Sequence, residues 1–220
     1  MNAPLKVVLT GDIVDSSSLD IPQLETCQEL IVTAAKQVEA VVGEIDFPAA
    51  GFFRGDSWQL SFDAPHLAAR AAIFFRCALL KHQKNPRFDT RVSIGIGTIE
   101  KSDSLKSGQG AAYLLSGRGL EEMAQSKKPA RRLAFASDTL SKDTNAALSS
   151  FAILADHALL QTTPHQALAI YETIRGKTQE EIAQGWNPKV GQPTILRHLR
   201  SGGWDYLEAS LQELETNFPQ

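Results

Sequence analysis

The spacing of apolar residues changes along the chain and predicts alternating strands and helices in its first two thirds. The apolar run Leu5–Leu9 is typical of a buried strand, which we expect Thr10-Gly11-Asp12 to end in a turn. Apolar residues then recur every three or four positions, which predicts a helix. Asp20 and Gln23 form a capping-box pattern at its start, and Gly43 marks its end.

Elements predicted between residues 47 and 137 complete the order β-α-β-β-α-β-α-β-α. This order predicts an α+β sandwich with helices on one face of a mainly antiparallel sheet. The elements are a hairpin of 47–53 and 57–62 around Gly55-Asp56, a helix from Pro65 to about His82, a strand from Arg91 to Ile99, a polar loop at 102–110, a helix from Ala111 to Gln125, and a strand from Leu133 to Ala136 with Ser137 or Asp138 capping the next helix.

The pattern becomes helical throughout towards the C terminus, where it predicts three or four short helices. Thr178–Glu181 is a capping box ahead of one helix, and Gly191-Gln192-Pro193 opens another. The last helix, at 204–214, carries acidic residues on its outer side. We therefore expect two domains, an α+β sandwich at 1–160 and a small all-α domain at 161–220.

Composition narrows the class of protein. Of 220 residues, 43% are hydrophobic and 21% are charged, which excludes intrinsic disorder. The formal net charge of -3 means that any nucleic-acid contact has to come from a local basic patch. Cys27 and Cys77 lie in apolar helical contexts and are expected to be reduced thiols, as in the cytoplasm. We expect neither a signal peptide nor a membrane span.

Two aspartates, Asp12 and Asp56, are the candidate chemistry of the first domain. Each follows a glycine, one at the end of a core strand and the other at a hairpin tip. Carboxylates presented by neighbouring strands can hold Mg²⁺, and Ser16 and Ser17 lie in a segment whose backbone N–H groups could seat a phosphate. The alternative is that both aspartates only cap turns, as Gly-Asp pairs often do.

Four segments resemble motifs of the class III nucleotidyl cyclases. They are Thr10–Ser17, Phe53–Trp58, Arg91–Gly97 and Gly110–Arg118. The resemblance implies a ferredoxin-type cyclase fold, a nucleoside triphosphate as ligand and Mg²⁺ or Mn²⁺ as cofactor. It also implies a homodimer in which one chain supplies the metal aspartates and its partner supplies the arginine.

Within these motifs, the resemblance assigns roles to particular residues. It makes Asp12 and Asp56 metal ligands, with the carbonyl of Ile13 as a third ligand, and Arg118 a catalytic residue. The chain departs from the family at Phe52, Ser107 and Leu114, which occupy the two base-reading positions and the transition-state asparagine position. Phe52 could stack on a base or could simply be a core residue of its strand.

The segment 178–199 resembles a bacterial helix-turn-helix. In such a motif Gln192 and Thr194 would lie near base edges, and Arg197 and Arg200 would add positive charge against the phosphates. The turn at 185–190 is longer than usual, so the module could instead bind a protein or dimerise. A cyclase-like half followed by this tail is similar to the SatD family of bacterial proteins.

Three hypotheses on function follow. In the first, the protein is a regulator that binds a nucleotide with Mg²⁺ and has a tail that binds double-stranded DNA. In the second, it is an active nucleotidyl cyclase or a related nucleotidyltransferase with an altered choice of base. In the third, it is a structural module whose metal motif has lost its function.

Overall fold

The computed structural model describes residues 5–46, 52–53, 55–82, 85–98, 110–125 and 131–218. These residues form a mixed α+β fold with a sheet and a largely helical C-terminal part. The strands are β1 (Lys6–Ile13), β2 (Ile45–Asp46), β3 (Phe52–Phe53), β4 (Ser57–Phe62), β5 (Thr90–Gly97) and β6 (Leu133–Ser137). The helices are α1 (Ile21–Val42), α2 (Ala68–Leu80), α3 (Ala111–Gln125), α4 (Lys142–Gln161), α5 (Pro164–Ile174), α6 (Gln179–Gly185), α7 (Gln192–Ser201) and α8 (Trp204–Thr216).

The sheet has the strand order β2-β4-β1-β5-β6, and the short β3 pairs with β4. Every pairing is antiparallel except that between β5 and β6. β1 therefore lies in the centre of the sheet, with β4 on one side and β5 on the other. Because both pairings are antiparallel, the end of β1 lies next to the starts of β4 and β5.

β1 is longer than the sequence predicts. The expected turn at 10–12 is wrong, because these residues remain paired with both neighbouring strands and the strand ends only at Ile13. Gly11 stays in the strand because the Trp58 ring lies against its Cα, where a Cβ would collide with the indole. Asp12 is therefore a strand residue with a fixed cross-strand neighbour on each side.

The helices cover both faces of the sheet, so the prediction of helices on one face is wrong for α3. Trp58 and Phe75 stack with ring centroids 4.6 Å apart, which places α2 on the face to which Trp58 points. The alternate positions of the sheet face α3. The hydroxyls of Thr10 and Ser116 are 2.8 Å apart, and a Cβ at Gly95 would collide with the backbone of α3.

Helix boundaries agree with the local sequence signals in most places. The capping box of Asp20 and Gln23 opens α1, and Gly43 ends it with a φ of 82°. α3 has the predicted bounds. α4 differs, since Ser141 caps it instead of Ser137 or Asp138. The first strand of the predicted hairpin falls largely, and the loop at 102–110 almost wholly, outside the described residues.

The C-terminal helices pack directly against the α+β part. Tyr171 of α5 stacks on Phe74 of α2 with ring centroids 4.4 Å apart. Arg70 of α2 donates hydrogen bonds to Glu208 and Glu215 of α8 at 2.7–3.1 Å. One buried apolar cluster accordingly extends from β1 to α8. The domain boundary near residue 160 stays a prediction, and that position lies in the last turn of α4.

No helix in the described part of the chain is long and apolar enough to cross a membrane.

Candidate functional site

Asp12 forms an ion pair with Arg91 on the neighbouring strand. The two residues face each other in the register of β1 and β5. The Nε and Nη2 groups of Arg91 each donate a hydrogen bond of 2.7 Å to the Asp12 carboxylate. This two-pronged geometry is the strong form of an arginine–carboxylate contact. The Asp12 side chain is 14% exposed, so the pair lies at the rim of the fold.

Asp56 lies at the tip between β3 and β4 and contacts the segment after β1. The turn depends on Gly55, whose φ of 86° favours glycine. The hydroxyl of Ser16 donates a hydrogen bond of 2.6 Å to the Asp56 carboxylate, and Ser57 donates a longer one of 3.3 Å. The backbone N–H of Ile13 donates to the Asp56 carbonyl at 3.1 Å.

The two carboxylates are close enough to affect each other. Burial raises the pKa of the Asp12 carboxyl, and the negative charge of Asp56 acts in the same direction. The hydrogen bonds and charge of Arg91 act in the opposite direction. Two neighbouring carboxylates repel each other, and a cation between or beside them reduces that repulsion. The guanidinium of Arg91 already compensates part of the negative charge.

Further hydrogen bonds connect the end of β1 to the start of β5 and to Trp58 of β4. The Thr90 hydroxyl donates to the Asp12 carbonyl at 2.7 Å and accepts from the Trp58 indole at 3.0 Å. The Val14 N–H donates to the Asp89 carbonyl at 3.0 Å. These contacts fix the backbone on which both Asp12 and Arg91 stand.

Asp89, the residue before β5, belongs to a buried network of ion pairs. Its carboxylate accepts hydrogen bonds from Arg76 at 2.8 and 3.1 Å and from Arg132 at 2.6 Å. Arg76 also donates to Asp156 of α4 at 2.6 Å. Arg76 is fully buried, and its two carboxylate partners compensate for the loss of water. The network anchors the start of β5 to α2 and α4.

The sequence predictions for the phosphate seat fall on a short 3-10 turn at Ser16–Ser18. Asp15 precedes it in a left-handed conformation with a φ of 54°. Ser16 contacts Asp56, whereas Ser17 is exposed. Phe52 is half-buried and packs against the hydrophobic core, which agrees with its structural alternative.

Arg118 lies on the outer side of α3. The helix turns Ala112, Ser116 and Met123 inward, where they are buried, and leaves Arg118 exposed. Leu114, one turn before it, is 54% exposed. Arg118 is therefore on the exposed side of α3 and is not directed into the sheet that carries Asp12.

The donor set at the carboxylate pair has the chemistry of a magnesium or manganese site. Carboxylate and backbone carbonyl oxygens are hard donors. In the described part of the chain, no three Asp, Glu, His or Cys side chains meet in a cluster that could hold a metal. Any ion at this place would therefore rely on Asp12, Asp56 and the Ile13 carbonyl, together with oxygens of its ligand. Arg91 already occupies the Asp12 carboxylate with two hydrogen bonds, so an ion would have to displace it.

In the tail, α7 exposes most of the predicted DNA-contacting residues. Gln192, Arg197 and Arg200 are exposed and Thr194 is half-buried, while Ile195 and Leu199 are buried on the opposite side. Asp205 in the first turn of α8 forms an exposed ion pair with Arg200 at 3.8 Å, so α8 places one carboxylate beside this outer side.

His198 of α7 is half-buried and contacts the turn after α6. Its ring stacks on Trp186 with centroids 5.6 Å apart. Partial burial lowers the pKa of this histidine. The long turn after α6 is thus packed onto α7 through Trp186.

The chain was compared with protein families, curated proteins and solved structures. No protein-family model matches it, so membership of the SatD family stays a prediction. No curated protein matches it either.

Solved structures of cyclases are similar to part of the chain. Two structures of a bacterial light-regulated adenylyl cyclase share 19% identity with TM-scores of 0.46 and 0.45. They cover 61% and 60% of this chain, and 77% and 42% of theirs. The guanylyl cyclase Cya2 shares 17% identity, covers 55% of this chain and 71% of its own, and has a TM-score of 0.41.

Proposed function

We propose that this protein binds a nucleoside triphosphate together with Mg²⁺ or Mn²⁺ at the carboxylate pair of Asp12 and Asp56. The observation that supports this proposal is the strand register, which sets Asp12 opposite Ser57, the residue after Asp56, while Arg91 is hydrogen-bonded to the Asp12 carboxylate. The motifs around both aspartates, which resemble those of the class III cyclases, support the same ligand.

A divalent ion at this place would neutralise the triphosphate and hold it against the strand ends. Asp12 and Asp56 would hold that ion with the Ile13 carbonyl. Arg91 would then leave Asp12, and its planar guanidinium would suit a phosphate oxygen pair equally well. Ser16, already hydrogen-bonded to Asp56, would keep the loop after β1 close to the phosphates.

We propose a regulatory role for this binding, with active cyclisation as the alternative. Arg118 favours the alternative because its exposed position suits a catalytic arginine contributed across a homodimer. Leu114 favours regulation, since a leucine cannot donate the hydrogen bond that the family's asparagine gives. Phe52, packed into the core, likewise offers no polar group for reading a base.

Thermal unfolding with and without millimolar MnCl₂ and each nucleoside triphosphate tests the proposal. Ligands that bind only the folded state raise the melting temperature, and we expect a rise of a few degrees. Asp12→Asn and Asp56→Asn should abolish the rise. Asp15→Asn is the matched control, because it removes one nearby charge from an exposed side chain. An unchanged melting temperature of the wild type would contradict the proposal.

The same samples separate regulation from catalysis. Chromatography of each triphosphate after incubation should show no cyclic product if the protein only binds it. Product formation that Arg118→Ala abolishes would instead establish the cyclase alternative.

We further propose that the tail binds double-stranded DNA through α7. The supporting observation is the exposed side of α7, which carries Gln192, Arg197 and Arg200. The acidic residues Glu208 and Glu215 of α8 are engaged by Arg70. Asp205 pairs with Arg200 at 3.8 Å, and a DNA phosphate would replace it in this exposed pair. A homodimer would present two such helices, as two half-sites require.

A further inference from the structure

A cavity of about 470 Å³ lies between α4 and α8, far in sequence from the carboxylate pair. Its volume is within the range of small-molecule pockets. One wall is a stripe of α4 and the other is a stripe of α8. The apolar walls are formed chiefly by Phe151, Leu154, Ala155, Ala158, Leu207 and Leu214.

Two large side chains at this cavity are strongly exposed. Leu154 is 72% exposed and Tyr206 is 82% exposed, although both are large and belong to well-formed helices. Isolated exposed apolar residues are ordinary on a protein surface. Here they flank a concave apolar site, which indicates a surface that is covered when a ligand is bound.

The charge at the cavity is negative. Its polar side chains include Ser210 and Glu213, and its lining contains no Lys, Arg or His. Among the described residues, the Asn217 amide donates a hydrogen bond of 3.1 Å to one oxygen of the Glu213 carboxylate. Its other oxygen can accept from a ligand. An anionic ligand would be repelled here, whereas a cation would be attracted.

We propose that this cavity binds a small hydrophobic amine that is protonated at neutral pH. The apolar body of the amine fills the space between Phe151, Ala158 and Leu207. Its ammonium group lies at the rim beside Glu213 and Ser210. Apolar contact supplies most of the affinity, and the exposed carboxylate supplies the preference for a cation.

Two other occupants fit the cavity less well. A second copy of the chain would bring its own acidic α8 against Glu213, and like charges repel. A partner helix needs a groove several turns long. The α4 wall from Phe151 to Ala158 is only about 10 Å long at 1.5 Å per residue. A compact molecule matches that length.

The test uses the full chain and the fluorescence of N-phenylnaphthylamine, a neutral dye that brightens in apolar pockets. Phenylbutylamine should displace the dye at a lower concentration than phenylbutyrate, which has a similar body and the opposite charge. Glu213→Gln should reduce the preference for the amine by about two- to fivefold. Ala158→Phe should fill the cavity and weaken amine and dye binding about tenfold or more.

Ala147→Phe is the matched control, because Ala147 is exposed on the same helix and lies outside the cavity. Equal displacement by amine and carboxylate overturns the assigned charge. Dye binding that survives Ala158→Phe overturns the site. A two-chain assembly that Leu154→Glu splits, in a protein that binds no dye, shows a second copy as the occupant and overturns the proposal as well. None of these outcomes depends on Asp12 or Asp56, so the cavity and the carboxylate pair are tested separately.

Discussion

Asp12 and Arg91 face each other across β1 and β5, and two N–H groups of Arg91 reach the Asp12 carboxylate at 2.7 Å each. The register of the strands sets this pairing, so it belongs to the fold. A cation is therefore already seated on one of the two carboxylates that the proposed metal site needs.

Arg91→Ala should change stability and metal binding in opposite directions. Without metal, the partly buried Asp12 carboxylate loses its partner, which should lower the free energy of unfolding by about 1–3 kcal/mol. With MnCl₂, removal of the competing cation should tighten binding of the ion. Urea unfolding at several Mn²⁺ concentrations measures both effects. Arg91→Lys keeps the charge and serves as the control, and weaker Mn²⁺ binding by Arg91→Ala would contradict the competition.

The second prediction concerns assembly. If Arg118 serves the carboxylate pair of a partner, the protein should have twice the 24.0 kDa mass of the chain at tens of micromolar, measured by light scattering. Leu114→Glu places a charge on the same outer side of α3 and should yield single chains. Lys36→Glu, a charge change on the exposed side of α1, should leave the mass unaltered. A wild-type mass of one chain would leave Arg118 without its proposed role.

The third prediction concerns α7. Arg197→Ala and Arg200→Ala should each weaken binding to a labelled DNA duplex, measured by fluorescence anisotropy across a salt series. Each lost phosphate contact should flatten the plot of log K against log salt by about 0.9. Lys142→Ala, at the exposed start of α4, removes the same charge elsewhere and should keep the wild-type slope. Equal slopes for all variants would exclude α7 as the contact surface.

The fourth prediction concerns Lys81 at the end of α2. Its ammonium lies 3.3 Å from the centroid of the Tyr171 ring, and burial lowers its pKa to about 8. Glu172 acts against this shift, while Arg175 and Lys177 add to it. Between pH 8 and the ordinary value of 10.5, the unfolded chain binds more protons at this residue than the folded one does. The contribution of Lys81 to the free energy of unfolding should therefore rise with pH across that window.

Urea unfolding at pH 7 to 10.5 checks the sign by comparing the wild type with Lys81→Met. The wild type should gain stability relative to the variant as pH rises, because the variant lacks the titrating group. Burial raises the pKa values of Tyr171 and Cys77 from 10.0 and 9.0 to about 12, so both groups lower stability with rising pH; they are present in both proteins, and the difference between wild type and variant isolates Lys81. Lys36→Met is the control at an exposed lysine, and it should track the wild type. A constant difference between Lys81→Met and wild type would refute the shift.

Elements defined by local signals could be predicted from the sequence. The capping box of Asp20 and Gln23 and the bounds of α3 depend on residues within one or two turns of each other, so the pattern contains them. The end of β1 was missed because Gly11 stays in the strand through a contact with Trp58, 47 residues further on. Glycine in a turn and glycine under an aromatic ring look alike in a single sequence.

Some residues of the candidate site could be predicted from the sequence, and others could not. Asp12 and Asp56 stand out because each follows a glycine at the end of an apolar run. The role of Arg91 depends on strand register, and that of Arg76 on a buried network with Asp89 and Asp156. Pairing β1 with β5 by their alternation could have suggested Asp12 opposite Arg91. The sequence contains no comparable signal for the ion pairs of Arg76, because Arg76 appears there only as a charged residue within an apolar helix.

The position of α2 limits how this protein can be taken apart. Twelve of its side chains, from Ala68 to Leu80, are buried, since the sheet covers one side and α5 contributes Tyr171 on another. A fragment ending after α4 would leave the Phe74 ring open to water and Arg70 without both of its carboxylates. Such a fragment would associate through that exposed surface, so its binding and stability would not represent those of the intact chain. The two proposed activities should therefore be separated by single substitutions in the intact chain. A chimaera that joins either half to another protein would need new side chains to bury the exposed face of α2.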